Sequence, residues 1–185
     1  MREIVLPTLE GFATDGLDYR GFLYVGLMID KSGAPKVLEY NCRLGDPETQ
    51  VILLRLKSDL FDLLEAALGA GISGLDVEWD RRTALAVVFA SAGYPQSARK
   101  GDVIRTLPAD ADDLHVFHAG TQRHNGDVVT NGGRVLAVTA LGDSTAMAQR
   151  RAYAAAAEVA FDGMVFRRDI GHHAVGRRRS ARTPR

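Results

Sequence analysis

Val37-Leu38-Glu39-Tyr40-Asn41-Cys42-Arg43-Leu44-Gly45-Asp46-Pro47-Glu48-Thr49-Gln50 runs from a polar strand into the start of a helix. With the two-residue period of a strand, Glu39, Asn41 and Arg43 point to one face and Leu38, Tyr40 and Cys42 to the other. The second set predicts a buried side and the first a polar site. Two oxygen donors two residues apart suit a hard cation such as Mg²⁺, and an arginine beyond them suits a phosphate or a carboxylate. The pattern points to nucleoside-triphosphate chemistry. Asp46-Pro47-Glu48 then opens a helix, with Asp46 as N-cap, Pro47 at the first helical position and Glu48 as an acid in the first turn. A helix N-terminus binds anions through its free N–H groups, and Asp46 and Glu48 beside it can hold a substrate ammonium group. Cys42, turned away from the polar face, is expected to be a small buried residue. A nucleophilic thiol would want an exposed, electropositive setting.

Upstream, residues 21–30 form an apolar run of strand length, and Lys31-Ser32-Gly33-Ala34-Pro35 follows as a turn. With a second strand over 36–43, this predicts an antiparallel hairpin. Downstream, Leu53, Leu54 and Leu56 give the first helix a buried stripe. A second helix is predicted from Ser58 to Gly69, with Leu60, Phe61, Leu63, Leu64, Ala67 and Leu68 at helical spacing. Gly69-Ala70-Gly71-Ile72-Ser73-Gly74 leads towards a linker. After Trp79 the pattern becomes short strands: Ala84–Ala90, Val103–Thr106, Leu114–Phe117, Val128–Thr130 and Val135–Ala140. An alanine-rich helix over 143–160 covers them. The second part is thus a small α+β unit. His118-Ala119-Gly120-Thr121 reads as a turn after a strand, and Asn131-Gly132-Gly133 as a turn before one. The five histidines, at 115, 118, 124, 172 and 173, show no metal-ligand spacing. Arg167-Arg168-Asp169-Ile170-Gly171 closes the unit.

The 185 residues carry 23 basic and 23 acidic side chains, but Arg177, Arg178, Arg179, Arg182 and Arg185 fall in the last ten residues. What remains holds 18 basic against 23 acidic, a mildly acidic body that argues against a nucleic-acid surface. Residues 176–185 read as a basic disordered tail. A lone cysteine excludes an internal disulfide and fits a reducing compartment. No apolar run approaches membrane-spanning length and the start has no signal-peptide pattern, so no membrane contact and a cytoplasmic location are expected.

Glu39-x-Asn41-x-Arg43 followed by Leu44-Gly45-Asp46-Pro47-Glu48-Thr49-Gln50 closely resembles the signature of the glycinamide ribonucleotide synthetases, a family of ATP-grasp ligases. Gly21–Met28, Lys36–Glu39, Ser58-Asp59-Leu60, Ala92-Gly93-Tyr94-Pro95, Phe117–Thr121, Thr130–Leu136 and Arg168–Gly171 resemble the same family, in its order, from about residue 3 to 175. The resemblance implies an α+β fold: residues 1–78 as the C-terminal part of an ATP-grasp core, then 79–175 as the small C-terminal domain that completes the site. It implies ligation of glycine to 5-phosphoribosylamine with ATP as co-substrate, through an acyl phosphate, early in purine biosynthesis. Glu39 and Asn41 would ligate Mg²⁺ or Mn²⁺. Arg43 would act in catalysis, holding the carboxylate or acyl phosphate, and Asp46 and Glu48 would meet the substrate amines. Many ATP-grasp enzymes carry another metal-binding acid on the preceding strand, and Tyr24-Val25-Gly26-Leu27-Met28 has none.

No glycine-rich phosphate loop precedes Gly21. The resemblance therefore implies a C-terminal portion without the N-terminal domain and the ATP lid, with a separate N-terminal half as an expected partner. Two other readings stay open: another ATP-grasp carboxylate–amine ligase, and a non-catalytic binding or interaction module that kept the metal strand.

Overall fold

The computed structural model describes residues 1–69 and 71–175; the Arg-rich tail predicted over 176–185 lies outside the described residues. The chain is α+β and divides into two compact units, one of Met1–Thr49 and Lys57–Glu78, the other of Gln50–Leu56 and Trp79 onward.

In the first unit, helix α1 (Val5–Thr14) precedes an antiparallel hairpin of β1 (Tyr24–Ile29) and β2 (Pro35–Asn41). Asp30 organises the turn: its carboxylate accepts from the Ser32 hydroxyl at 2.5 Å, the Ser32 amide at 2.8 Å and the Ala34 amide at 3.0 Å. β2 ends at Asn41, two residues short of the expected end, and Cys42 and Arg43 form a bend. The strand is also not uniform. Leu27 pairs with Val37 and Gly26 with Glu39, so Leu38 is an extra residue in a β-bulge. Burial departs further from expectation: Leu38 is 63% exposed, Tyr40 45%, and Cys42 is exposed. Among the described residues the sheet has two strands and no third. Period fixed the faces but not which face is covered.

Helix α2 (Glu48–Arg55) starts one residue later than expected, leaving Pro47 just ahead of it, and its apolar residues are half-buried. Helix α3 (Leu60–Leu68) is capped by Asp59, whose carboxylate accepts from the Phe61 amide at 2.7 Å, and ends at Gly69 as expected. The Ser58 hydroxyl accepts instead from the Glu78 amide.

The second unit is built on strands β3 (Thr83–Ala90), β4 (Leu114–His118), β7 (Arg134–Gly142) and β8 (Val165–Phe166), in the order β4-β7-β3-β8. All three pairings are antiparallel. Leu85, Val87 and Phe89 alternate into the core, opposite Ala140, Val138 and Leu136 of the central strand. Helix α4 (Thr145–Ala156) closes this side with Ala148, Ala152, Ala155 and Ala156, whose small side chains let it lie close to the sheet. Its cap is Ser144, and it is shorter at both ends than the 143–160 expected. A separate hairpin joins β5 (Thr121–His124) to β6 (Asp127–Thr130) through Asn125 and Gly126, both at positive φ, the signature of a tight two-residue turn. The strand expected over Val103–Thr106 is only two isolated bridges. A short helix α5 (His172–Val175) ends the described chain.

Two substitutions separate packing from polarity in this core. Phe89 is fully buried, with the Phe166 ring centroid at 4.7 Å, so Phe89→Ala should cost about 3–5 kcal/mol in urea unfolding. The Thr139 hydroxyl is buried on the other face of β7 with no hydrogen-bond partner among the described residues. Thr139→Val removes an unpaired polar group at constant shape and should hold stability level or raise it by about 1 kcal/mol; a large loss would mean the hydroxyl is satisfied.

Acid should act through three aspartates held below the ordinary carboxylate range: Asp30 by the Ser32 hydroxyl, Asp162 by Arg105 and Asp169 by Arg167. A depressed folded-state value stabilises above the unfolded-state value and the benefit is lost as pH falls through the folded one. Unfolding midpoints should therefore hold steady down to about pH 4 and drop below it, and Asp162→Asn should flatten the drop.

Candidate functional site

The hairpin register determines what shares a face. Gly26 lies opposite Glu39 and Tyr24 opposite Asn41, so Tyr24, Gly26, Glu39 and Asn41 stand together on one side. Tyr40 belongs to the other side, where its hydroxyl lies 2.9 Å from the Thr8 hydroxyl of α1. Cys42 lies past the strand end beside Tyr19: burial, and then the Cys42 thiol against the Tyr19 hydroxyl, push that phenol above its ordinary value. Within the strand, Glu39 and Asn41 are thus separated from Tyr40 as their period implied, while Leu38 sits in the bulge and Cys42 and Arg43 lie beyond the strand end.

Space on the Glu39 face is set by glycine. A Cβ on Gly26 would sit 3.0 Å from Glu39 Cγ, so the glutamate side chain lies across the bare backbone of the neighbouring strand. Gly45 is buried, and a Cβ there would collide with the Glu48 carboxylate and come within 3.2 Å of the Tyr24 ring. Tyr24 thus links the hairpin face to the loop that carries Gly45 and Glu48. The Thr49 amide donates to Gly45 O at 2.8 Å and its hydroxyl to the same oxygen at 2.5 Å, which pins the loop to the first turn of α2.

Arg43 stands apart from this arrangement. It lies beyond the end of β2, exposed, and its Nη1 donates to the carbonyl of Leu44 at 3.1 Å. Its strand placement is corrected: the bend at Cys42–Arg43, not strand period, sets its direction. Asp46 is exposed in the loop. The described residues contain no group of three or more His, Cys, Asp or Glu arranged to hold a metal ion. Glu39 with Asn41 still fits Mg²⁺ chemistry, because that ion takes one or two protein oxygens and fills its octahedron with waters and substrate phosphates. Two of the histidines have polar partners: His115 Nδ1 lies 3.0 Å from the Asp110 carboxylate, and His118 pairs with the Thr121 hydroxyl.

Residues 1–49 match the phosphoribosylglycinamide synthetase ATP-grasp (A) domain, and residues 84–173 match the phosphoribosylglycinamide synthetase C domain. The chain belongs to the phosphoribosylglycinamide synthetase family. It is 53% identical over 177 residues to a phosphoribosylamine–glycine ligase of Ralstonia nicotianae, and 52% identical over 178 residues to those of Vibrio parahaemolyticus and Pseudomonas aeruginosa. Each alignment covers 96% of this chain, and the chain spans 42% of the length of these curated relatives. Among solved structures, the phosphoribosylamine–glycine ligase of Thermotoga maritima matches with a TM-score of 0.77 at 42% identity, over 88% of this chain and 40% of the other. The biotin carboxylase domain of Hydrogenobacter thermophilus 2-oxoglutarate carboxylase matches with a TM-score of 0.61 at 14% identity, over 86% of this chain and 36% of the other, a likeness of fold.

For the synthetase family assignment, the motif residues were legible in the sequence; Tyr24, Gly26 and Gly45 as shapers of the face were not. The signal for Gly26 was available: a glycine inside an otherwise apolar strand marks a bulge or a close approach. Glu39 should therefore be sensitive to its neighbour. In the 185-residue chain, millimolar Mn²⁺ should broaden the amide NMR signals of Glu39 and Asn41, and Gly26→Ala should weaken that broadening about as much as Glu39→Gln does. Broadening that is unchanged in Gly26→Ala would show that Glu39 finds its place without the glycine.

Proposed function

We propose that this chain provides the metal-bearing wall of a phosphoribosylamine–glycine ligase. Residues 1–78 would act as the C-terminal part of its ATP-grasp domain and 79–175 as its C-terminal domain. The observation that carries the reading is the register that sets Glu39 and Asn41 on one face over Gly26, in a chain with segments that match two of the domains of this family.

In the proposed reaction the glycine carboxylate attacks the γ-phosphate of ATP, giving an acyl phosphate and ADP. The amine of 5-phosphoribosylamine then attacks the acyl carbon, expelling phosphate and leaving glycinamide ribonucleotide. Glu39 and Asn41 would hold Mg²⁺ or Mn²⁺, which supplies neutralisation of the phosphate charge. Arg43, exposed past the strand end, has the reach to hold the glycine carboxylate or the acyl phosphate through its fork of N–H donors. Asp46 and Glu48 would receive the ammonium groups of the substrates, Glu48 from its seat above Gly45. No helix of the described residues is long and apolar enough to cross a membrane; a cytoplasmic setting is part of the proposal. A family-length ligase needs more chain than the part matched here, and the remainder could be contributed by a separate N-terminal half.

The test is a chimera in which this chain replaces the matching segment of the Ralstonia nicotianae enzyme. It should form glycinamide ribonucleotide, whereas the 185-residue chain alone should not turn over. Glu39→Gln in the chimera should lower kcat on the order of 10²–10³-fold at limiting Mg²⁺. Asn41→Ala should show a defect partly relieved by raised Mg²⁺, and Arg43→Lys one that does not respond to metal, since the lost element is the bidentate fork. Full activity of Glu39→Gln at limiting Mg²⁺ would remove the metal role, and an inactive but folded chimera would count against the ligase reading.

A further inference from the structure

The second unit contains a groove of about 600 Å³ that shares no residue with the Glu39–Asn41 face. It is lined by Val51, Ile52 and Arg55 of helix α2, by Trp79, Arg81 and Arg82 on the approach to β3, and by Thr83 and Ala84 at its start. Among the described residues lining it there are three arginines and no Asp or Glu.

The charges are not equally satisfied. Arg82 is clamped by the Asp80 carboxylate, with Nη2 at 2.6 Å from Oδ2 and Nε at 3.0 Å from Oδ1. That bonding holds its guanidinium above the ordinary arginine value. Arg55 meets a carbonyl instead: Nε and Nη2 donate to Asp80 O at 3.1 and 2.9 Å, which fixes the side chain without cancelling its charge. Arg81 is exposed. Among the described residues Arg55 and Arg81 both line the groove outside any carboxylate salt bridge, one of them held in place in advance. Beside them the Trp79 indole is 45% exposed, and Val51, Ile52 and Ala84 supply an apolar floor.

An aromatic face next to fixed cations selects a planar ring carrying an anion. The ring stacks on the indole and leaves water, while the anion takes the guanidinium donors. An inorganic anion would leave the indole and the floor unused, and a neutral ring would leave the arginines unused. The volume lies in the range of small-molecule sites. We propose that this groove binds a nucleoside monophosphate, with the base on Trp79 and the phosphate between Arg55 and Arg81. The site is distinct from the proposed metal face and requires no metal.

Trp79 is the single tryptophan of the chain, so its fluorescence reports the groove directly. The 185-residue chain, in EDTA and excited at the red edge of the indole band, is titrated with AMP, ribose 5-phosphate and adenosine. AMP should quench saturably below roughly 1 mM, with the other two at least about tenfold weaker. Arg81→Glu should weaken AMP at least about tenfold with an unchanged far-UV circular dichroism spectrum, and Arg81→Ala repeats the test should the charge reversal disturb folding. Glu39→Gln should give the wild-type curve. The proposal is overturned by any of four results: no saturable response up to roughly 10 mM AMP, ribose 5-phosphate or adenosine matching AMP, AMP binding untouched in the folded Arg81 variants, or binding lost in Glu39→Gln, which would put the nucleotide at the other face.

Discussion

Antiparallel pairing leaves a two-stranded ribbon one way to bring polar groups together: the residues directly opposite one another must share a face. In β1 and β2 that rule sets Gly26 against Glu39 and Tyr24 against Asn41, and the rest of the candidate site follows from it. The glutamate has room because its neighbour has no side chain, and the tyrosine ring reaches the loop in which Gly45 leaves space for Glu48. A slip of β2 by one residue would bring Tyr40 to the face of Tyr24 and Gly26 and carry Glu39 and Asn41 to the face of Val25. The bulge at Leu38 stops such a slip from costing nothing, because the extra residue fits only one registration of the two strands.

The two units meet the demands of folding differently. The second buries Val87, Phe89, Val138 and Leu136 completely and seals them with a helix of alanines, an arrangement in which packing carries the stability. The first buries little. Leu27, Met28, Ile29 and Val37 all remain substantially exposed on the hairpin, and helix α1 has no buried residue. A hairpin of this kind is marginal by itself, and contiguous exposed apolar surface favours association. Its polar face is consequently supported by local devices: the Asp30 turn, the bulge, and the Thr49 bonds to Gly45.

Much of this was legible from residue order. Apolar runs bounded by glycine and proline located β1, β3 and β7, and the alanine-rich stretch located α4. Motif residues recognisable by family singled out Glu39 and Asn41, which the register sets on one face. What escaped was set by tertiary context or by a misread local signal. Period 2 separates faces but does not say what covers them, so Tyr40 and Cys42 were expected inside and lie outside. The end of β2 depended on a bend at Cys42–Arg43 that no turn residue announces. By contrast β5 was missed although Asn125-Gly126 is a strong hairpin signal, because Thr121–His124 is too polar to stand out as a strand. The second helix starts at Leu60 rather than at Ser58, because Asp59 caps it through the Phe61 amide while the Ser58 hydroxyl is taken by the Glu78 amide.

Asp80 shows how one buried group can both hold a fold and leave charge available. Its carboxylate grips Arg82, its carbonyl takes two donors from Arg55, and its amide donates to the Arg55 carbonyl at 2.7 Å. The end of α2 is thereby tied to the strand that begins at Thr83, through main-chain and side-chain atoms of one residue. The carboxylate is bonded to Arg82, whereas Arg55 donates to the carbonyl. A carbonyl orients a guanidinium without neutralising it, so the same contacts that fix helix to strand leave a positioned cation at the groove. Had the carboxylate bridged both arginines, the tie would be as firm and the groove close to neutral.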